Sequence, residues 1–317
     1  MHIPDGFLDA KTSATAALFS VAGGGFALRQ VRRELPPRRV PLLGLAAAFL
    51  FAAQMVNFPV AGGTSGHLVG SALVAVLLGP SAAIVVMTTV LLVQCFLFAD
   101  GGVTALGANL FNMGIMSAVG GYAVYRLVAY WLPGTRGRVT AIAFAGWCAT
   151  VLAAVCCAGE LAWSGTVPWS VGFPAMTGIH MVIGLGEGLL SALAFQAIQR
   201  TRPELLNETG TEPPRFRLGE LTGYGLLAAL GLAACVAPFA CPWPDGLDAV
   251  AARLGLTPSA APKFLPVLAA DYRLPWISSP VAAVAVAGII GVLVVFGLSW
   301  LLGRWLVPKS SGCINNS

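Results

Sequence analysis

The chain has 317 residues, 57% of them hydrophobic and only 10% charged, with a formal net charge of +5. Soluble domains carry about 25% charged residues, so too few charges are present here to coat a water-facing surface, and lipid is the main solvent. The small positive excess does not point to nucleic acid; its distribution along the chain points to membrane topology.

No stretch alternates in the manner of a membrane barrel, so the spans are expected to be helices of about 20 apolar residues. Nine apolar segments follow in order, at 11–28, 41–58, 68–79, 81–99, 105–130, 139–159, 174–198, 220–237 and 280–306. The third is short, and Gly79 and Pro80 part it from the fourth, so a tilted or partial span is expected there. The predicted fold is all-α: a polytopic transmembrane helix bundle. It has a seven-segment N-terminal unit (1–200), a polar cytoplasmic linker (201–219) and a two-segment unit (220–317) with a long extracytoplasmic loop.

Basic residues fall on one side of this map. Arg29, Arg32, Arg33, Arg38 and Arg39, then Arg126, Arg136 and Arg138, then Arg200, Arg202, Arg215 and Arg217, and last Arg304 and Lys309 make 14 of the 18 Lys and Arg. Lys11, Arg253, Lys263 and Arg273 remain on the other side. The positive-inside rule then sets the N-terminus outside and the C-terminus in the cytoplasm. No basic n-region precedes the first apolar run, so no cleaved signal peptide is expected. Met1 is expected to stay, because a bulky second residue such as His2 hinders its removal.

The seven cysteines form no C-x-x-C pair and read as small buried hydrophobes. The opening MHIPDGFLD carries the chemistry. A free α-amine on Met1, the amide nitrogen of His2 and the Nδ1 of His2 close a five-membered and a six-membered chelate ring. All three nitrogens can lie in one plane, and a nitrogen-rich planar site suits Ni(II) or Cu(II). A fourth in-plane ligand is needed. His67, in the Gly-rich stretch VAGGTSGHLVG on the same predicted side, is the candidate. Pro4 and Gly6 suggest a fixed turn rather than a loose end. The competing reading is plain: a terminal histidine is ordinarily unengaged, and a loop histidine ordinarily makes a local hydrogen bond.

Residues expected to support this loop are Asn57, Thr64, Ser65, Asn109 and Asn112, with Asp100 either a turn residue or a neighbour of the ion. Gln94 is a polar residue placed to bond between helices. His180 and Glu187, seven apart on one helix face, are intramembrane candidates, with Glu187 read as the only acid inside a span. The rival for both is a structural interhelical hydrogen bond. The alanine run at 45–54 suits close helix packing, within the chain or against a partner.

MHIPDGFLD, GGTSGHL and LLVQCFLFADGGVTALGANLFNMG, in that order, resemble the metal-binding membrane subunits of energy-coupling-factor nickel and cobalt importers, the CbiM/NikM family. The stretch from about 220, with PWPDGLDAVAARLG and DYRLPW, is similar to the fused companion unit of the CbiN/NikN or PDGLE type, with Asp248 where that motif has Glu. The resemblance implies a capture subunit that binds its ion through Met1, His2 and His67. It implies a transmembrane coupling partner (CbiQ/NikQ-like), a pair of cytoplasmic ATPases (CbiO/NikO-like), a bacterial or archaeal cytoplasmic membrane, no cofactor, and nickel or cobalt as the transported ligand. The chain has no G-x-x-x-x-G-K-[ST] of its own, in keeping with outsourced energy. The alternatives are a stand-alone proton-coupled metal carrier, a membrane metal sensor and a membrane metalloenzyme. The inner loops are too short for a sensor's output domain, and no H-E-x-x-H occurs.

Overall fold

The computed structural model describes residues 1–206, 218–256, 267 and 269–307. Much of the linker at 201–219, with Arg215 and Arg217, lies outside the described residues, as do Lys263 and Lys309. Helix α1 (Ala10–Glu34) starts at Asp9, whose carboxylate accepts from the Thr12 amide at 2.8 Å and fills one of the orphan donors of the first turn. Pro36 and Pro37 stop helical continuation, and the chain bends by 119° into α2 (Val40–Gln54). A short antiparallel hairpin, β1 (Phe58–Val60) and β2 (Thr64–Gly66), sets Phe58 opposite Gly66. Then come α3 (Ser71–Leu78) and α4 (Pro80–Phe98). Next, α5 (Leu106–Asn109), a π-helical stretch (Leu110–Met116) and α6 (Ser117–Trp131) follow one another without a gap. Long helices α7 (Gly134–Trp163) and α8 (Trp169–Thr201) close the first unit. The second unit holds α9 (Leu218–Gly231), which runs on through short π and 3-10 turns to Phe239, a small helix α10 (Gly246–Leu254), and α11 (Pro280–Leu306).

Each of the nine apolar segments carries a helix, although 55–58 and 68–70 lie outside one. Among the described residues, five rods are long and apolar enough to cross a bilayer: Pro80–Phe98, Gly134–Trp163, Trp169–Thr201, Gly219–Phe239 and Pro280–Leu306. The pair α1–α2, bent by 119°, meets the same test of length and apolarity only when its two helices are taken together. Helix α3, with 8 residues, spans about 12 Å at 1.5 Å per residue, too little to cross by itself. Residues 67–70 ahead of it are irregular instead of helical, and Gly70, at φ +74°, takes the left-handed conformation that glycine tolerates just before the helix starts. One reading of the acids needs correction. Helix α7 runs four residues past the predicted end of its segment and takes Glu160 with it, so Glu187 is not the only helical acid there.

Close packing joins the two units. A Cβ on Gly291 would fall 2.0 Å from the Phe51 ring, and one on Gly44 would fall 2.9 Å from the Phe296 carbonyl. Helices α2 and α11 therefore run antiparallel at close approach. The alanine run contributes to this core: Ala47, Ala48 and Ala52 are fully buried. Leu18, Phe26, Leu185, Leu189 and Trp305 face outward, a pattern that lipid accommodates and water does not.

Candidate metal centre

The first nine residues are threaded into the bundle. The Ile3 amide donates to Asn109 Oδ1 at 2.8 Å, and Asn109 Nδ2 returns a bond to the Ile3 carbonyl at 3.1 Å. Gly102 donates its amide to the same carbonyl at 2.9 Å. Asp5 accepts from the Thr104 amide and hydroxyl at 2.7 and 2.6 Å, and Thr166 donates to the Phe7 carbonyl at 2.5 Å. Strap and loop lie so close that a Cβ on Gly102 would fall 2.3 Å from the Asp5 nitrogen. Ile3 is fully buried, and Met1 and Phe7 nearly so.

This strap delivers Met1 and His2 to His67. The Met1 nitrogen lies 3.0 Å from His67 Nε2. His67 Nδ1 lies 3.3 Å from the Leu68 carbonyl, an acceptor only, so the ring proton sits on Nδ1 and Nε2 offers its lone pair to Met1. The His2 and His67 rings are 5.4 Å apart and within 22° of parallel. His2 Nε2 faces Gln94 Oε1 at 3.2 Å, and His2 Nδ1 faces Asp100 Oδ1 at 3.1 Å. These groups border a cavity of about 480 Å³ whose walls include His2, Gln54, His67, Asp100, Asp245 and Tyr272.

The His67 loop is held from behind. Glu187 accepts from the Val69 and Gly70 amides at 2.6 and 2.8 Å. Ser71 donates its hydroxyl to the Met113 carbonyl. Ser65 pins the hairpin to the second unit instead of supporting the loop directly. Its amide donates to the Pro244 carbonyl at 2.8 Å and its hydroxyl to the Trp243 carbonyl at 2.7 Å. The Asn57 carbonyl accepts from Cys241 at 2.9 Å in the same seam. Thr64 is buried in the hairpin, and its hydroxyl has no partner among the described residues. Asn112 turns to α7, donating to Glu160 at 2.6 Å, so this residue is not drawn to the strap as expected. His180 Nδ1 donates to the Met176 carbonyl at 2.8 Å, as a helical ring readily does to the preceding turn. Its Nε2 has no partner among the described residues and lies beside Gly246.

Sequence reasoning missed Asp245. Its Oδ2 lies 2.6 Å from the Met1 nitrogen, and both side chains are largely buried. Asp245 also caps α10 by accepting from the Asp248 amide at 2.9 Å. The Pro244-Asp245-Gly246 signature was visible as a motif, but no periodic pattern connects residue 245 with residue 1. Tyr272 was missed too: it donates to Asp100 Oδ2 at 2.7 Å and stacks on Phe98 at 4.7 Å.

The electrostatics follow from burial. Loss of water holds His2 below its ordinary pKa, against the pull of Asp100. Burial first, then the Met1 amine and His2, hold His67 well below the usual imidazole range. For Asp245, burial pushes upward, but the Met1 ammonium outweighs it and the carboxylate stays ionised well below the usual range. Asp248 is pushed up to about 6 by burial and by Asp245. Burial thus favours the neutral form of both imidazoles.

Residues 2–205 match the family described as CbiM, cobalt uptake substrate-specific transmembrane region. The chain belongs to the CbiM family. Residues 219–308 match the PDGLE domain, so this CbiM-family protein carries both units in one chain. It is 36% identical over 307 residues to the putative fused nickel transport protein NikMN of Archaeoglobus fulgidus, covering 96% of this chain and 99% of that protein. It is 35% identical over 246 residues to the fused nickel transport protein NikMN of Rhodobacter capsulatus, covering 73% and 71% of the two chains. A crystal structure of a truncated transition metal transporter superposes with a TM-score of 0.58 at 32% identity, over 63% of this chain and 99% of that one. The protein is a multi-pass membrane transporter subunit of the nickel and cobalt class.

Proposed function

We propose that this chain is the substrate-specific capture subunit of an ATP-driven importer for a divalent transition metal, with nickel favoured over cobalt. One observation carries the reading: the Met1 amine lies 3.0 Å from His67 Nε2 with the His2 ring alongside. The Met1 amine, the His2 amide, His2 Nδ1 and His67 Nε2 form an all-nitrogen donor set. Exchange of the ammonium proton for a metal ion lets the amine and His67 share that ion. A deprotonated amide in a planar set favours Ni(II). Asn109 fixes the strap, and Glu187 fixes the loop.

The chain does not energise transport in this reading. A CbiQ/NikQ-like coupling subunit and a pair of CbiO/NikO-like ATPases supply that step, in a bacterial or archaeal cytoplasmic membrane with the N-terminus outside. The commitment of Glu187 to two backbone amides weighs against a stand-alone proton-coupled carrier. The capture unit is 1–200, the linker 201–219 and the companion unit 220–317, in keeping with the two family matches.

The test is Ni(II) titration of purified protein that starts natively at Met1, beside a variant with one glycine added ahead of Met1. The added residue converts the amine into a peptide nitrogen and breaks the five-membered ring. Binding and the visible band of planar Ni(II) are expected to vanish in the extended protein and in His67→Ala. Equal affinity in all three would remove the strap from the site.

A further inference from the structure

Val69 lies two residues past His67, and its carbonyl accepts from Gln54 Nε2 at 3.0 Å. Gln54 Oε1 in turn accepts from Gln94 Nε2 at 2.8 Å, and Gln94 Oε1 faces His2 Nε2 at 3.2 Å. Both amides are buried, Gln94 at 0% exposure and Gln54 at 4% on the cavity wall, so few competing partners reach them. An amide side chain has one accepting end and one donating end, whereas a backbone carbonyl only accepts. Val69 therefore decides the direction of the whole chain. Gln54 must turn its NH2 to Val69 and its oxygen to Gln94. Gln94 must then donate to Gln54 and turn its own oxygen to His2. The chain ends in an acceptor aimed at Nε2.

We infer that Gln54 and Gln94 are positioning residues that set the tautomer of His2: they hold its proton on Nε2 and leave the Nδ1 lone pair for the metal. The inference rests on the capture reading above, in which Nδ1 closes the six-membered chelate ring. A reversed Gln94 would present its NH2 to Nε2, occupy that lone pair and send the ring proton to Nδ1. Asp100 Oδ1, 3.1 Å from Nδ1, stands ready to accept it there. The ligand atom would then be blocked. Val69 belongs to the loop of His67, so the backbone that carries one imidazole ligand dictates the protonation of the other.

The test uses the full chain with its native start and Ni(II) titration. Gln54→Met keeps the side-chain length and touches neither His2 nor the proposed ligand atoms, yet it releases Gln94 to turn. Affinity is expected to fall by roughly 10–100-fold, the usual loss when a group behind a metal ligand is removed. Adding Gln94→Glu to that variant is expected to recover most of the affinity. A carboxylate accepts through either oxygen and needs no neighbour to orient it. A packing role for Gln54 would leave the loss unchanged when Gln94→Glu is present. Should Gln54→Met not be recovered folded, Gln54→Glu serves, since its carboxylate cannot donate to Val69. Native affinity in the single Gln54 variant, or a loss that Gln94→Glu does not recover, overturns the inference. Unchanged affinity in the protein extended ahead of Met1 overturns the capture reading instead, and this inference with it.

Discussion

At the scale of single residues, the Met1–Asp245 pair joins two buried, opposite charges 2.6 Å apart. Removing one partner of such a pair costs about 3–5 kcal/mol, because the other is left uncompensated. Asp245→Asn is therefore expected to lower the thermal unfolding midpoint measured without added metal. Saturating Ni(II) is expected to narrow the gap to native protein, because a metal-bound amine no longer carries a proton that needs a carboxylate. A gap that is equal with and without nickel would detach Asp245 from the site. The pH response has a defined sign. His2 and His67 are held below their ordinary pKa when folded, so the unfolded chain takes up protons first as pH falls through about 6.5. Stability is expected to drop between pH 7 and 5, and more shallowly in His67→Ala. Asp248, raised to about 6, works the other way across part of that window and moderates the slope. The closeness of Met1 and His2 was legible in the sequence because chelate rings are built from neighbouring atoms of one chain. His67, 66 residues on, was singled out by its Gly-rich stretch on the same predicted side and by the family motifs, and the structure brings it to 3.0 Å from the Met1 nitrogen. Asp245, Gln54 and Tyr272 were not legible, because their contacts join chain-distant residues that no local pattern records.

At the scale of elements, apolar length predicted the helices well, since an apolar run that must satisfy its backbone in lipid has few other choices. It did not predict what happens where the runs end. The hairpin at 58–66 and α10 are polar or amphipathic pieces shaped by their neighbours. For α10 the local signals were present: Asp245 caps its start and Gly255, at φ +64°, ends it. The π-helical stretch was not anticipated, because apolar length, which marked the segment at 105–130, does not tell one helical form from another. The α2–α11 contact offers a test. Gly291→Leu would force a side chain into the Phe51 ring, and overpacking of this kind costs about 1–3 kcal/mol. The expected result is a lower unfolding midpoint with proteolytic cleavage in the second unit. Gly297→Leu on the same helix, where no atom lies within 4 Å of the added Cβ, is expected to be harmless.

At the scale of the whole molecule, the strap, the hairpin and α10 gather on one side of the bundle. Arg253 of α10 reaches the Gly62 carbonyl at 3.0 Å, and Ala269 donates to the Leu97 carbonyl at 3.0 Å. Single cysteines placed in a cysteine-free background test which side this is. Position 255 is expected to react with an impermeant reagent added outside, and positions 35 and 135 only after the membrane is opened. The reverse pattern would invert the proposed topology. The same gathering imposes an order in time. The charge on residue 1 finds its carboxylate only at residue 245. At a synthesis rate of about 5–20 residues per second, that partner is made on the order of 10–50 s after the strap. The nascent chain must therefore hold its first residue in a provisional place, and the cluster closes as one of the last events of assembly. A ribosome that stalls before α10 leaves helices already in the bilayer and a terminal ammonium still waiting for its counter-ion.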